Sequence, residues 1–94
     1  MVNLIAPDFV GGREAAQQWL ADLPNLSHAT VKIDFSELIA TSPSFIDEVV
    51  RIILADGGAR RLKLQNVSAE VSTWAHDSST RRGVVDRLMV DVKA

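Results

Sequence analysis

The chain has no cysteine. That removes disulfides, thiolate zinc sites and thiol nucleophiles together, and it fits a reducing compartment. A basic excess is also missing. Ten Lys+Arg face twelve Asp+Glu, for a formal charge of −2, so general binding to a phosphate backbone is disfavoured. No stretch approaches the roughly 20 apolar residues of a membrane-spanning helix. The first twelve residues, MVNLIAPDFVGG, lack a positive leader and a long apolar run, and Asp8 interrupts them, so no signal peptide is expected. Low-complexity tracts, internal repeats and Pro/Gly/Ser-rich linkers are absent too. The expected location is the cytoplasm.

What is present is ordinary globular material: 94 residues, 47% hydrophobic and 23% charged. This length predicts one domain over residues 1–94. Residues Val2–Ala6 form a short apolar run ending at Pro7 and predict a strand. After Gly11-Gly12, the apolar positions Ala15, Ala16, Trp19, Leu20 and Leu23 follow one face of a helix closed by Pro24. Thr30–Phe35 alternates with period two and predicts a second strand.

In the next helix Ser42 is the N-cap and Pro43 lies in the first turn. Asp47 and Glu48 follow, placed by this reading near the positive end of the helix dipole. Phe45, Ile46, Val49, Val50, Ile52, Ile53 and Leu54 leave only a narrow polar stripe, so this helix is expected to be central and mostly buried, and Gly57-Gly58 ends it. Residues 61–67 alternate again, with Asn66 read on the inward side. Ser68 caps a third helix whose inward positions are Val71, Trp74, Ala75 and Ser78. Its polar second half, HDSSTRRG, is expected to fray or loop. Residues 87–93 are read as a last strand, with helix through Val84, Val85, Leu88 and Met89 as the alternative. The order is β-α-β-α-β-α-β, a layered α/β domain of about four strands and three helices joined by parallel crossovers.

Catalytic chemistry finds little support in these residues. His28 and His76 have no second histidine at helical metal spacing. No serine sits in a Gly-x-Ser-x-Gly elbow, and the glycine pairs do not make a phosphate loop. No catalytic residue, metal site or cofactor is therefore assigned. The pairs Arg60-Arg61 and Arg81-Arg82 read as solvated ends of elements.

The informative stretch is Ile33–Ile53, a strand, a short polar loop and the start of a buried helix. A hydroxyl there lies near unpaired backbone N–H groups, and an anion, including a phosphate on the serine itself, is favoured by those donors and by the dipole. The plain alternative is that Ser42 and Ser44 only cap the helix. At this stretch the sequence resembles the STAS-like family, small α/β domains related to bacterial anti-sigma-factor antagonists. The resemblance rests on Asp34-Phe35-Ser36 at the strand end and on Thr41-Ser42-Pro43-Ser44-Phe45 at the turn. The family's phosphorylatable serine falls on Ser44. Its acidic residue two positions earlier falls on Ser42, and its following glycine on Phe45, where a bulky ring would cover the site. Thr41–Glu48 looks like the STAS-like branch whose function is not established. With lower specificity, the resemblance extends over nearly the whole chain.

The resemblance implies a small STAS-like layered domain and a non-enzymatic regulatory role. The implied partner is a protein, an anti-sigma-factor-like kinase or a similar switch protein. The implied contact surface comprises Asp34, Ser36, Thr41, Ser42, Ser44, Phe45, Asp47 and Glu48, with Ser44 as the phosphorylation candidate. The other reading is a small-ligand domain in which the same helix start holds a nucleotide phosphate or other anion, with Arg13 or Arg81-Arg82 as counter-charge. First and last strands are candidate sheet edges, which leaves self-association open.

Overall fold

The structure, a computed structural model, describes residues 1–8 and 11–93. Strand β1 (Val2–Ile5) is followed by helix α1 (Gly12–Trp19), strand β2 (Thr30–Asp34) and helix α2 (Pro43–Val50). A wider π-helical turn extends α2 over Arg51–Asp56. Strand β3 (Arg61–Val67), helix α3 (Ala69–Arg81), a 3-10 turn (Val85–Arg87) and strand β4 (Leu88–Val92) complete the chain.

All four strands are parallel, in the order β1-β2-β3-β4. Each crossover advances one strand in the same direction, and right-handed crossovers then place every helix on one face. The helices accordingly form a single layer, α1 against α2 and α2 against α3. Parallel sheets are usually covered on both faces. Here one face stays open, and that explains the clean alternation in the sequence. Asn3, Lys32, Lys63 and Met89 share one row of the open face, and Ile5, Asp34, Gln65 and Asp91 the next. The inward positions Val31, Ile33, Leu62 and Leu64 are buried under Phe45, Ile46, Val49, Val50 and Ile53 of the central helix segment.

Gly57 closes the π-helical turn because nothing larger fits: a Cβ there would lie 2.5 Å from the Ile52 carbonyl oxygen. The adjacent Gly58 takes the left-handed conformation, φ +67°, where glycine carries no steric penalty. Arg87 caps this helix end from across the fold, donating to the carbonyls of Ala59 at 2.8 Å and Leu54 at 3.1 Å.

Three details depart from the sequence reading, and a fourth decides between its two alternatives. Helix α1 ends at Trp19, and the chain passes through turns to Leu23. Asn66 does not face the core. It is exposed at φ +59° beside an irregularity in the β3–β4 pairing, which lets Val67 face inward instead. The polar HDSSTR stretch is not frayed. It is helix to Arg81, with Ser78 and Ser79 buried. Residues 84–87 form only a short 3-10 turn, so the strand reading of the last segment holds.

Candidate functional site

The start of α2 is built by one hydroxyl. Ser42 Oγ accepts from the Phe45 N–H at 3.2 Å, an N-cap contact. It also accepts from the Gly12 N–H at 3.1 Å, which draws the start of α1 beside the start of α2. Pro43 then occupies the first turn, where no N–H is needed. Ser44 follows, exposed, with no side-chain hydrogen bond among the described residues. Of the two serines in this turn, one is engaged as a cap and the other is accessible.

Phe45 does not cover Ser44. Its ring is fully buried and stacks on Trp19 of α1 at 5.8 Å between centroids. Position N3 of an amphipathic helix points inward here, so the sequence expectation of a covering ring is corrected.

Asp47 and Glu48 require a larger correction. They lie beyond the first turn, which contains no acidic residue, and both are buried, with 8% and 2% exposure. Ser44, Asp47, Glu48 and Arg51 follow the spacing i, i+3, i+4, i+7, one stripe on the side of α2 away from the sheet. Neighbouring helices close over its middle. From α1, Arg13 Nη1 donates to Asp47 Oδ2 at 2.6 Å and to Glu48 Oε1 at 3.3 Å, and Gln17 donates to Glu48 Oε2 at 2.6 Å. From α3, Arg82 makes two bonds to Asp47, at 2.8 and 3.1 Å, and the Ser78 hydroxyl makes another. Arg81 lies 3.5 Å from the same carboxylate. Within α2, Arg51 grips Glu48 through two bonds and also pairs with Asp56.

These partners set the charge states. The Arg82 guanidinium, with Ser78 and Arg13, holds the Asp47 carboxyl well below the usual carboxylate range. Arg51, Gln17 and Arg13 bring Glu48 down to about 2. The arginines respond in kind: Asp47 raises Arg13, and Glu48 raises Arg51. Burial opposes the charged form of both carboxylates, and the donated bonds outweigh it. Asp47 and Glu48 therefore clamp the helix layer and offer no accessible contact surface. Arg13, Arg81 and Arg82 all reach Asp47; Arg81 stays 67% exposed, the solvated helix end the sequence predicts, while Arg82 is 28% exposed.

At the carboxyl end of β2, Asp34 organises the loop. It accepts from the Ser36 N–H at 2.9 Å, the Ser36 hydroxyl at 3.1 Å and the Asn66 amide at 2.8 Å. The Asn66 amide first, then the Ser36 N–H, hold its carboxyl below the usual range. Thr41 closes that loop with its Oγ1 buried and without a partner among the described residues. Between this loop and the first two turns of α3 opens a cavity of about 390 Å³, bordered by Ser36, Thr41, Asn66, Glu70, Trp74 and Lys93. Of the sequence-predicted residues, Ser36 and Thr41 thus meet at the cavity, Ser42 and Ser44 share the α2 corner, and Phe45, Asp47 and Glu48 lie inside.

Histidines stand apart from both places. His28 is exposed, and its N–H donates to the Gly58 carbonyl at 3.3 Å, at the opposite end of the sheet. The His76 ring contacts the Ser72 carbonyl at 2.8 Å. Among the described residues no three metal-ligating side chains gather, and no helix is long and apolar enough to cross a membrane.

The sequence reading missed the partners of the stripe and the far wall of the cavity. A signal for the first was present: two adjacent acids inside an otherwise apolar helix require donors from elsewhere. For Glu70, Trp74 and Lys93 there was none, since nothing local ties them to residues 36–41. Compared with protein-family models, with curated proteins and with solved structures, the chain matches none.

Proposed function

We propose that this domain is a non-enzymatic regulatory module that binds another protein at the α2 corner, switched by phosphorylation of Ser44. The observation that carries the reading is the contrast between Ser42 and Ser44: the first hydroxyl accepts two backbone N–H groups, and the second is exposed with no bond among the described residues. The resemblance of residues 34–48 to the STAS-like family supports the same role. It implies a bacterial, cytoplasmic setting and an anti-sigma-factor-like kinase or similar switch protein as the partner.

The physics of the corner supplies a mechanism. A phosphate on Ser44 sits in the first turn of α2, where the helix dipole favours it. It adds close to two negative charges. Arg13 is a cation on the neighbouring helix that contacts the same stripe of α2. It stands in the first turn of α1, which Ser42 holds against α2, and it already reaches Asp47, three residues beyond Ser44. Phosphoserine 44 would share that guanidinium with Asp47. A contact formed over the neutral corner would then face both a bulky dianion and its desolvation cost.

The test is intact-mass spectrometry of the protein from its own cells, with fragmentation across Thr41–Arg51. One phosphate on Ser44 is the expected result. Unmodified protein in growing, stationary and stressed cells alike removes the switch. Paired co-purification with Ser44→Ala and Ser44→Asp baits then reads the binding role. A partner retained by the first and lost by the second is expected, and identical recoveries refute it.

A further inference from the structure

The cavity between the β2–α2 loop and α3 has no part in the Ser44 corner. Its volume of about 390 Å³ falls in the range of small-molecule sites. It lies beyond the carboxyl ends of β2 and β3, bordered also by Lys93 just past β4. Three features define what it would accept. Trp74 of α3, half-buried, and Leu38 of the loop give it apolar walls. Thr41 also lines it, and its buried Oγ1 has no hydrogen-bond partner among the described residues, a state that turning toward a bound polar group relieves. Finally, the border carries one cation, Lys93, and one anion, Glu70, neither in an ion pair among the described residues.

We propose that this cavity binds a free α-amino acid with an aromatic or large apolar side chain. The side chain lies against Trp74 and Leu38, the carboxylate faces Lys93, and the ammonium faces Glu70. The Thr41 hydroxyl, once turned from its buried position, takes a remaining hydrogen bond of the head group. A nucleotide phosphate is disfavoured because the single cation is opposed by Glu70. A ligand with one charge leaves the other wall charge unmatched, which is how the site discriminates.

The full chain is titrated with L-phenylalanine while amide and indole shifts are followed by NMR. Saturable shifts at Thr41, Glu70 and the Trp74 indole are expected. 3-Phenylpropionate lacks the ammonium and 2-phenylethylamine lacks the carboxylate. Each should bind roughly three- to fivefold more weakly, the scale of one exposed ion contact. Glu70→Gln should abolish the preference for phenylalanine over 3-phenylpropionate only. Lys93→Ala should abolish the preference over 2-phenylethylamine only. Both side chains are exposed, so the variants should keep the dispersed spectrum of the folded domain. The proposal is overturned by the absence of saturable shifts at these residues, or by equal affinity for all three probes. It stands or falls independently of phosphate on Ser44.

Discussion

Helix α2 is buried on two sides for opposite reasons. Toward the sheet, Phe45, Ile46, Val49 and Val50 are removed from water by apolar contacts. Away from it, Asp47 and Glu48 are almost equally hidden, but under guanidinium and amide donors from both neighbouring helices. Apolar burial needs only complementary volume. Ionic burial needs named partners at fixed positions, because an unmatched charge in the same place costs several kcal/mol. The first side therefore gives the domain its core, and the second fixes how α1 and α3 sit against α2.

The apolar side should dominate stability. Phe45→Ala removes a fully buried ring and its stacking on Trp19, and a cost of about 3–5 kcal/mol is expected. Denaturant unfolding measures it, and a loss below about 1 kcal/mol would mean that the helix layer, not the sheet-facing core, carries the fold. Asp47→Ala should cost less, about 2 kcal/mol, the scale of a buried hydroxyl left without its acceptor. Its arginine partners are 28–67% exposed and can turn to water, whereas the Ser78 hydroxyl loses its acceptor in a buried place. A double-mutant cycle with Arg82→Ala should return a coupling of about 1 kcal/mol. Strict additivity would show that the pair only coexists in space.

The two sides also differ in their response to acid. Asp47 and Glu48 have folded-state pKa values below their ordinary ones. The unfolded chain thus binds more protons, and stability must fall as pH falls. The contribution is complete above about pH 6, declines from about pH 5, and for Glu48 is lost near its folded value of about 2. Apolar contacts have no such dependence. Wild-type protein should lose Tm steadily across this window, and a variant with Asp47→Asn and Glu48→Gln should start lower and lose less. Parallel acid limbs for the two proteins would place the acid sensitivity elsewhere.

Much of this was legible in the chain. Strand alternation was clear because one sheet face stays in water, and Ser42-Pro43 and Gly57-Gly58 bracket α2 with local chemistry that no distant contact has to supply. What escaped is what depends on other elements. Ser78 could be placed on the inward side of α3, but its partner and that of Arg82, Asp47, lies over thirty residues away in sequence. Asp47 and Glu48 suit a first helical turn by type but lie one turn too late. Asn66 fits the strand alternation, but its left-handed backbone breaks it. The corner that carries Ser44 was readable and the cavity was not, for the same reason: one is local, the other assembled.

The smallest expected effect separates two serines that composition cannot tell apart. Ser42→Ala removes the acceptor for Phe45 N–H and Gly12 N–H, so about 1 kcal/mol should be lost, the scale of an N-cap. Because the Gly12 bond ties α1 to α2, amide exchange should quicken at the starts of both helices, not of α2 alone. Ser44→Ala touches no bond among the described residues, and stability should stay within about 0.5 kcal/mol of wild type. If Ser44→Ala proved as costly as Ser42→Ala, its hydroxyl would be a structural element, and a phosphate there would disrupt the helix start instead of reporting on it. A near-silent Ser44→Ala beside a costly Ser42→Ala leaves Ser44 as the position where charge can be added without unfolding the corner, which a switch at this site requires.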